Sequence, residues 1–420
     1  MVDNTLSPHG GKIVERVVPS RAVGAERIRG LKAIPVRGQI ATECISIAYG
    51  FFSPLEGFML REDVDAVAED MRLASGYVWS IPIVFDLSLE EISQLRLREG
   101  DMLLLTYQGQ PLATLAVEEI YACDKERMAR MVYGTTDESH PGVRRTYAYK
   151  DRFLGGKVTL INPPKINPPF DRFWHTPGEL REKLKERGWT RVVAHQTRNV
   201  PHGGHEWMMK AAWFAANADA VLVNAVIGEK QMGDYIDEAI ILAHDMLRTA
   251  GYFREDVHMT SMLLWDMRYA GPREAVFHAL VRKNLGCTHH MFGRDHAGVG
   301  KYYDPYAAHR IFDEIPDIGI KPVVTLEWWY CPKCEGVAYE GLCGHQGQKQ
   351  ELSGTLMRRI LESGVRPSSQ TFRAEVFDLV MECAKQYGFG SPFVNEHYLR
   401  NRNPVMTVPP MESIARRDRR

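Results

Sequence analysis

The spacing of apolar and polar positions changes character near residue 189. From there on, short apolar runs alternate with longer segments rich in Ala, Leu and Met. Trp189 to Ala194, Asp219 to Ile227, Met259 to Trp265 and Cys287 to Phe292 read as buried strands, being mostly apolar and too short for helices. Glu206 to Ala216, Tyr235 to Leu247 and Arg273 to Asn284 read as helices. That alternation implies a parallel sheet with helices on both faces, and a ligand outside the carboxyl ends of the strands. Upstream, the runs Trp79 to Phe85, Asp101 to Tyr107 and Leu112 to Val117 are separated by turn signals, which predicts a compact strand-rich domain with a helix over Asp63 to Leu73. Between the two patterns lies Asn162-Pro-Pro-Lys-Ile-Asn-Pro-Pro-Phe170, too dense in proline for a helix or a central strand. Thr176-Pro177 then opens a helix, with Thr as N-cap and Glu179 placed to complete a capping box. The expected division is 1–170, 171–325 and 326–420.

The polar residues that interrupt this pattern cluster where the strands end. The first strand leads into His195-Gln-Thr-Arg-Asn-Val-Pro-His-Gly-Gly-His-Glu-Trp-Met-Met-Lys210. A strand, a turn loosened by Gly203 and Gly204, and a helix start make a place to hold phosphate, because free N–H groups and the helix dipole favour an anion there. His202 and His205 fall on one side of the beginning helix, and Arg198 offers a planar fork suited to an oxyanion. The alternative is a polar loop with surface histidines. Gly228 to Asp234 follows the second strand and Met267 to Ala275 the third; for Lys230 and Arg273, ligand contact and structural packing stay equally open. Gly293-Arg-Asp-His-Ala-Gly-Val-Gly300 follows the fourth. Its glycines admit a ligand close to the backbone, Arg294 suits an anion, and Asp295 and His296 offer polar contacts to a nucleoside.

Of seven cysteines, Cys44, Cys123, Cys287 and Cys383 are scattered, whereas Cys331, Cys334 and Cys343 fall in one stretch ending at His345. An odd, clustered count argues for reduced thiols and a metal rather than a disulfide framework. Cys-x2-Cys followed by Cys-x-His supplies four soft ligands, as tetrahedral structural zinc requires. Redox pairing of Cys331 with Cys334 is the competing reading.

Gln196-Thr197-Arg198-Asn199-x-x-His202-x-x-His205 resembles the first active-site motif of the ATP sulfurylase (sulfate adenylyltransferase) family, whose usual form is Gln-Thr-Arg-Asn-Pro-Leu-His-Arg-Ala-His. The chain departs from it at Val200, Pro201, Gly203 and Gly204. Gly293 to Gly300 resembles the second motif of that family, and Leu352-Ser-Gly-Thr-Leu-Met-Arg-Arg359 a late element of it. Pro8 to Gly11 and Phe52 to Met59 are similar to segments of its N-terminal domain; by itself the Phe52 segment reads as core packing. The resemblance implies an α/β protein: a PUA-like β-rich barrel, a Rossmann-like nucleotidyltransferase domain with a parallel sheet, and a small C-terminal domain, here carrying the zinc-type Cys/His cluster. The activity it implies is ATP + sulfate = adenosine 5′-phosphosulfate (APS) + diphosphate, reversible, by in-line attack on the α-phosphorus, with Mg²⁺. Carried over residue by residue, Thr197, Arg198, Asn199, His202 and His205 form the catalytic set. Gln196, Arg198, Arg294 and the backbone at Ala297 hold sulfate. Gln196, Asn199, His202, His205, Gly293, Arg294, Asp295, His296 and Val324 bind the nucleotide. No segment similar to a kinase domain follows residue 400, so a monofunctional form is expected.

Composition narrows this little further. With 45% apolar and 25% charged residues the chain is typical of globular proteins, and its net charge of −1 gives no support for a nucleic-acid or membrane-surface partner. It has neither a membrane-length apolar run nor a secretory-type start, so a cytoplasmic protein is expected. A homo-oligomer is expected too. Two other functions remain open: a different nucleotidyltransferase with the His-x-Gly-His signature, and an RNA-binding protein built from a PUA-like barrel and a zinc module. The Gln-x-Arg-Asn and Gly-Arg-Asp-His-Ala pair argues against the first, and neutral charge against the second.

Overall fold

The computed structural model describes residues 6–345, 347, 349–351 and 354–411. The first domain is more helical than its sequence pattern suggests. Helices α1 (Arg21–Arg27), α2 (Gly38–Ala48), α3 (Arg61–Asp70), α4 (Leu89–Leu95), α5 (Lys125–Tyr133) and α6 (Pro141–Tyr147) surround a mixed sheet. Its strands are β1 (Lys32–Pro35), β2 (Gly57–Phe58), β3 (Asp86–Leu87), β4 (Met102–Tyr107), β5 (Gln110–Tyr121) and β6 (Arg152–Leu160), in the order β1-β4-β5-β6-β2, with β3 also on β6. Trp79 to Phe85 does not form the expected strand. Pro82 lacks the N–H a ladder needs, and the segment crosses the core as buried extended chain, with Ile83 O accepting from Met59 N–H at 3.0 Å.

The proline-dense stretch is not loose. It contains β7 (Lys165–Ile166), which pairs with β16 (Met406–Thr407) near the end of the described chain. Asn162 donates to Pro111 O at 3.0 Å and to Pro409 O at 2.8 Å. Helix α7 (Pro177–Glu186) then starts with the expected capping box between Thr176 and Glu179.

Next come β8 (Val192–Thr197), α8 (Gly203–Ala215), β9 (Ala220–Ile227), α9 (Asp237–Thr249), β10 (His258–Leu264), α10 (Pro272–Asn284), β11 (His289–Phe292), α11 (Ala307–Glu314) and β12 (Lys321–Val324). All five strands run parallel in the order β10-β9-β8-β11-β12. Strand order therefore reverses between β8 and β11, and in such sheets that reversal opens a crevice at the carboxyl ends. Every residue of β9 and of β10 is buried, the polar His258, Thr260, Ser261 and Asn224 included.

The last part holds a three-stranded sheet of β13 (Trp328–Cys331), β14 (Gly336–Tyr339) and β15 (Gln350–Glu351), then α12 (Gly354–Ser363), α13 (Ala374–Gln386) and α14 (Glu396–Asn401). The basic stretch from Ala415 and the pair Leu352-Ser353 lie outside the described residues.

The first domain and the parallel sheet share one hydrophobic core. Phe52 packs edge-on against Trp265 and Phe277, with ring centres 5.4 and 5.2 Å away, so the aromatic segment is core, as its bland reading held. A buried ion pair joins Arg268, beyond β10, to Glu43 of α2. Arg273 donates to Val67 O and Ala68 O of α3, each at 2.8 Å, so it too serves this junction. No helix among the described residues is long and apolar enough to cross a membrane.

Candidate active site

Strand β8 continues through Thr197, so Gln196 and Thr197 are strand residues rather than part of the turn. The Thr197 hydroxyl accepts from Asn199 N–H and donates to Asn199 O, both at 3.1 Å, and this closes the turn sharply. His244 on α9 sits 3.1 Å from the same carbonyl through Nε2 and fixes the turn from behind. Val200 plugs into the core.

Helix α8 is capped by the two imidazoles of the motif. His202 Nδ1 accepts from Gly204 N–H at 3.1 Å, and His205 Nδ1 accepts from His202 N–H at 3.4 Å. This is a capping box in which histidines replace the usual Ser and Glu. The rings lie 4.0 Å apart between centres. With Nδ1 accepting in each, the single proton of each neutral ring sits on Nε2. Burial lowers the His205 pKa to about 4 and that of His202 well below its ordinary value, with His205 and His244 adding to the latter. The helix start therefore lines the cleft with two uncharged imidazoles, protonated at Nε2. Capping and ligand contact do not compete here, because each task uses a different nitrogen.

Arg198 lies over the Tyr269 ring, 4.9 Å from its centre, and donates to its hydroxyl at 2.5 Å. Tyr269, beyond β10, has φ of 59°. The buried Gln196 side-chain oxygen has no partner among the described residues, and such an orphan inside a cleft is a place for a ligand donor.

The loop after β11 approaches from the other side of the strand-order reversal. Asp295 and Ala297 both have φ of 55°, which folds the loop back on itself. Ala297 O accepts from Gly271 N–H at 3.0 Å, tying the loop to the start of α10. Arg294 is half-exposed and lies 3.2 Å from Asp295 and 3.6 Å from Glu327.

Both loops line one cleft of about 490 Å³. Gln196, Thr197, Arg198, Asn199, His202 and His205 meet Gly293, Arg294, Asp295, His296 and Ala297 across it. Val324 does not join them: it ends β12, is 47% exposed and lies outside the lining, which is completed by Leu326, Glu327 and Trp328. Gly354 also lines it; Thr355 beside it is exposed on α12. Lys230 is buried against Asp237 at 2.6 Å, in a smaller recess that also touches Arg198. Glu327 and Trp328, which no sequence motif singled out, also contribute, as do Met208 and His195 from the quoted stretch, to which no role had been given; His195 Nε2 has no partner among the described residues. Met267 and Tyr269 lay within a noted segment, but nothing in their spacing pointed to Arg198.

The Cys/His stretch forms a second polar cluster, at the end of the β13–β14 hairpin. Ligand atoms of Cys331, Cys334, Cys343 and His345 all lie within 4.8 Å of one another. His345 Nδ1 is 3.8, 3.3 and 3.9 Å from the sulfurs of Cys331, Cys334 and Cys343. Bonds of about 2.3 Å to sulfur and about 2.0 Å to nitrogen around a tetrahedral ion put ligand atoms roughly 3.5–3.8 Å apart. The donor set therefore fits one metal ion.

Against known proteins, the family described as ATP-sulfurylase matches residues 171–383, and that described as PUA-like domain matches residues 6–163. The sulfate adenylyltransferase of Archaeoglobus fulgidus is 41% identical over 96% of this chain and 98% of its own. The chain belongs to the ATP sulfurylase family. The sulfate adenylyltransferase of Hyperthermus butylicus is 45% identical over 89% of this chain and 95% of its own. A structure titled hexameric APS kinase from Thiobacillus denitrificans superposes with a TM-score of 0.71 over 90% of this chain and 68% of that one; at 21% identity the likeness is one of fold. Within the ATP sulfurylase motif, the departure at Gly203 has a local cause. A Cβ there would stand 2.1 Å from Gln370 O, so backbone from the C-terminal part occupies the space a side chain would need. Gly203 N–H donates to Thr371 O at 2.9 Å, and Arg373 grips buried Glu206 through two hydrogen bonds of 2.8 Å.

Proposed function

We propose that this ATP sulfurylase acts as a sulfate adenylyltransferase through the cleft between the β8 and β11 loops. A sulfate oxygen attacks the α-phosphorus of ATP, a P–O–S anhydride forms, and the bond to the bridging oxygen breaks as diphosphate leaves with its electron pair; the reverse reaction uses the same site. One observation carries this reading: two separate motifs converge on a single cleft at the strand-order reversal of a parallel sheet. Two dianionic partners must be brought together in line, so positioning and charge neutralisation are the main tasks.

In this reading Arg198 and Arg294, with Gln196 and the Ala297 backbone, hold sulfate. Tyr269 sets the direction of the Arg198 fork. Thr197 shapes the turn that presents Asn199 to the α-phosphate. His202 and His205 donate Nε2–H to the phosphates as charge moves to the leaving group; being neutral, they bind without a change of protonation. Gly293, Asp295 and His296 face the nucleoside. Val324, exposed at the end of β12, is assigned beside the base, and Leu326 and Trp328 extend that wall. Mg²⁺ travels with the nucleotide's phosphates and neutralises part of their charge.

The Cys331, Cys334, Cys343 and His345 cluster is assigned to structural zinc: all four positions are protein donors, which leaves no open one for chemistry. Divisions near residues 170 and 325, a cytoplasmic location and homo-oligomeric assembly complete the reading; light scattering on purified protein tests the last.

The decisive assay is diphosphate release from ATP that depends on sulfate, with ATP formation from APS and diphosphate as the reverse test. Release without sulfate, or no turnover in either direction, defeats the proposal.

A further inference from the structure

Helix α10 carries Glu274, His278 and Arg282 along one face, and all three are fully buried. The Glu274 carboxylate accepts from Trp265 Nε1–H at 3.1 Å, Arg268 N–H at 2.9 Å and Ala270 N–H at 3.1 Å. Burial alone would raise its pKa, but His278 and these donors outweigh that and hold it at about 2, so the group is an acceptor only. His278 Nε2 lies 3.5 Å from Glu274 Oε1. At the other edge of the same ring, His278 Nδ1 is 3.1 Å from His296 Nε2. His296 lines the cleft, and its Nδ1 has no hydrogen-bond partner among the described residues.

The protons in this row can be assigned in sequence. Burial lowers the pKa of both imidazoles and outweighs the Glu274 carboxylate, which raises them, while the Arg282 guanidinium lowers them further; the neutral forms are therefore favoured. A neutral imidazole carries one N–H and one lone pair. His278 Nε2 makes no hydrogen bond among the described residues, but its nearest charge is that carboxylate at 3.5 Å; a lone pair there would face the negative oxygen, so the N–H sits on Nε2 and the lone pair on Nδ1. That lone pair requires a donor, so His296 places its only proton on Nε2. The Nδ1 of His296 then faces the cleft as a lone pair. The arrangement is the opposite of His202 and His205, whose lone pairs are used up by backbone N–H groups.

We propose that Glu274 and His278 are positioning residues that set His296 as a hydrogen-bond acceptor in the cleft, matched to a hydroxyl or amino donor of the nucleoside. A lone pair repels phosphate and sulfate oxygens, so the same setting keeps His296 off the anions and marks the nucleoside side of the cleft. This inference rests on the reading of the cleft as an ATP site.

The test begins with ¹⁵N-histidine-labelled full-length protein at pH 7, using the loss of one ring signal in His296→Asn for assignment. Long-range proton–nitrogen spectra should show His296 protonated at Nε2 and bare at Nδ1. An Nδ1–H ring, or a doubly protonated one, overturns the proposal. In His278→Leu the single-tautomer signature of His296 should be lost; if it persists unchanged, Glu274 and His278 do not set it. The kinetic arm compares His296→Asn, whose carbonyl can replace the acceptor, with His296→Leu. KM for ATP should stay within about threefold of wild type in the first and rise about tenfold in the second, with a smaller change in kcat. Three analogues each lack one donor: 2′-deoxyATP, 3′-deoxyATP and purine riboside triphosphate. The analogue missing the partner of His296 should bind more weakly to wild type but lose nothing further in His296→Leu. A Leu variant with the wild-type KM, or three analogues that all lose affinity additively, overturns the proposal. The spectra need no turnover. A protein inactive with sulfate would defeat the functional reading while the protonation of His296 is still decided on its own.

Discussion

After β8, His202 and His205 each have a backbone partner, His244 of α9 holds the turn from behind, and the folded chain keeps the rings in place by itself. In the hairpin after β13, Cys331, Cys334, Cys343 and His345 face one another, and the backbone N–H groups of Cys334 and His345 point at sulfurs 3.4 Å away. Both clusters look alike as sequence: soft or basic side chains within a few positions of one another. Their surroundings differ. The first is packed between α8, α9 and β8, whose His195 ring lies 5.9 and 5.7 Å from the His205 and His244 rings, so its rings are neutral donors of fixed tautomer. The second has its own small core, with Trp329 and Cys331 at the centre, and is organised around a point between its donors. A site arranged by packing is ready before a ligand arrives, whereas a site arranged by a shared ion depends on that ion.

The strongest way to break this comparison is at the imidazoles. His202→Ala and His205→Ala should each lower kcat on the order of 10²-fold or more, with little change in KM for ATP. Melting measured on the same proteins separates the two tasks: loss of the cap costs about 1 kcal/mol. Variants that melt early yet turn over normally would reduce these rings to caps. Next, Arg198→Ala should raise KM for sulfate by about 10- to 100-fold and leave ATP affinity, read by calorimetry, within a few-fold of wild type. Unchanged sulfate kinetics would remove Arg198 from the anion site.

The Cys/His cluster gives the contrasting test. Elemental analysis should find about one zinc or similar soft ion per chain, and chelation should expose the Cys334 and His345 amides to hydrogen exchange. The amides of Gly204 and Glu206 should stay protected, since protein groups hold that turn. Equal loss of protection in both places would erase the distinction. The smallest effect is graded by pH. His205 has a folded pKa of about 4, below that of the unfolded chain, so the unfolded state binds more protons between about 6.5 and 4. Its contribution is complete above about pH 6.5 and fades as pH falls through that window, at up to about 1.4 kcal/mol per unit for each such ring. His195, His202, His244 and His290 are lowered in the same direction by burial, so melting temperature should drop steeply on acidification. A flat profile from pH 7 to 5 would contradict their neutral burial.

Much of the parallel sheet was legible because its buried strands read as short, mostly apolar runs. In β9 the run and the strand agree to within a residue. Trp79 to Phe85 carried the same signal and made no strand, since apolar character reports burial and only a partner supplies a ladder. The helices of the first domain were mostly missed: α2 is buried along nearly its whole length and shows little of the polar stripe that marks an amphipathic helix. In the cleft, residues inside compact motifs could be named beforehand. Tyr269 under Arg198, His244 behind Asn199 and Glu327 beside Arg294 could not be matched to their partners, because each pair meets only through the tertiary fold.

The contact between Gly203 and residues 370–371 also has a meaning for synthesis. A ribosome releases the N-terminal part of a chain first, and domains tend to fold as they emerge. Here the first turn of α8 lacks its Thr371 acceptor, and Glu206 its Arg373 partner, until most of the chain has been made. Strand β7 likewise waits for β16. The parallel sheet can form early, but the helix that carries both motif histidines is clasped late. An incomplete chain therefore carries the motif without the contacts that clasp the first turn of α8.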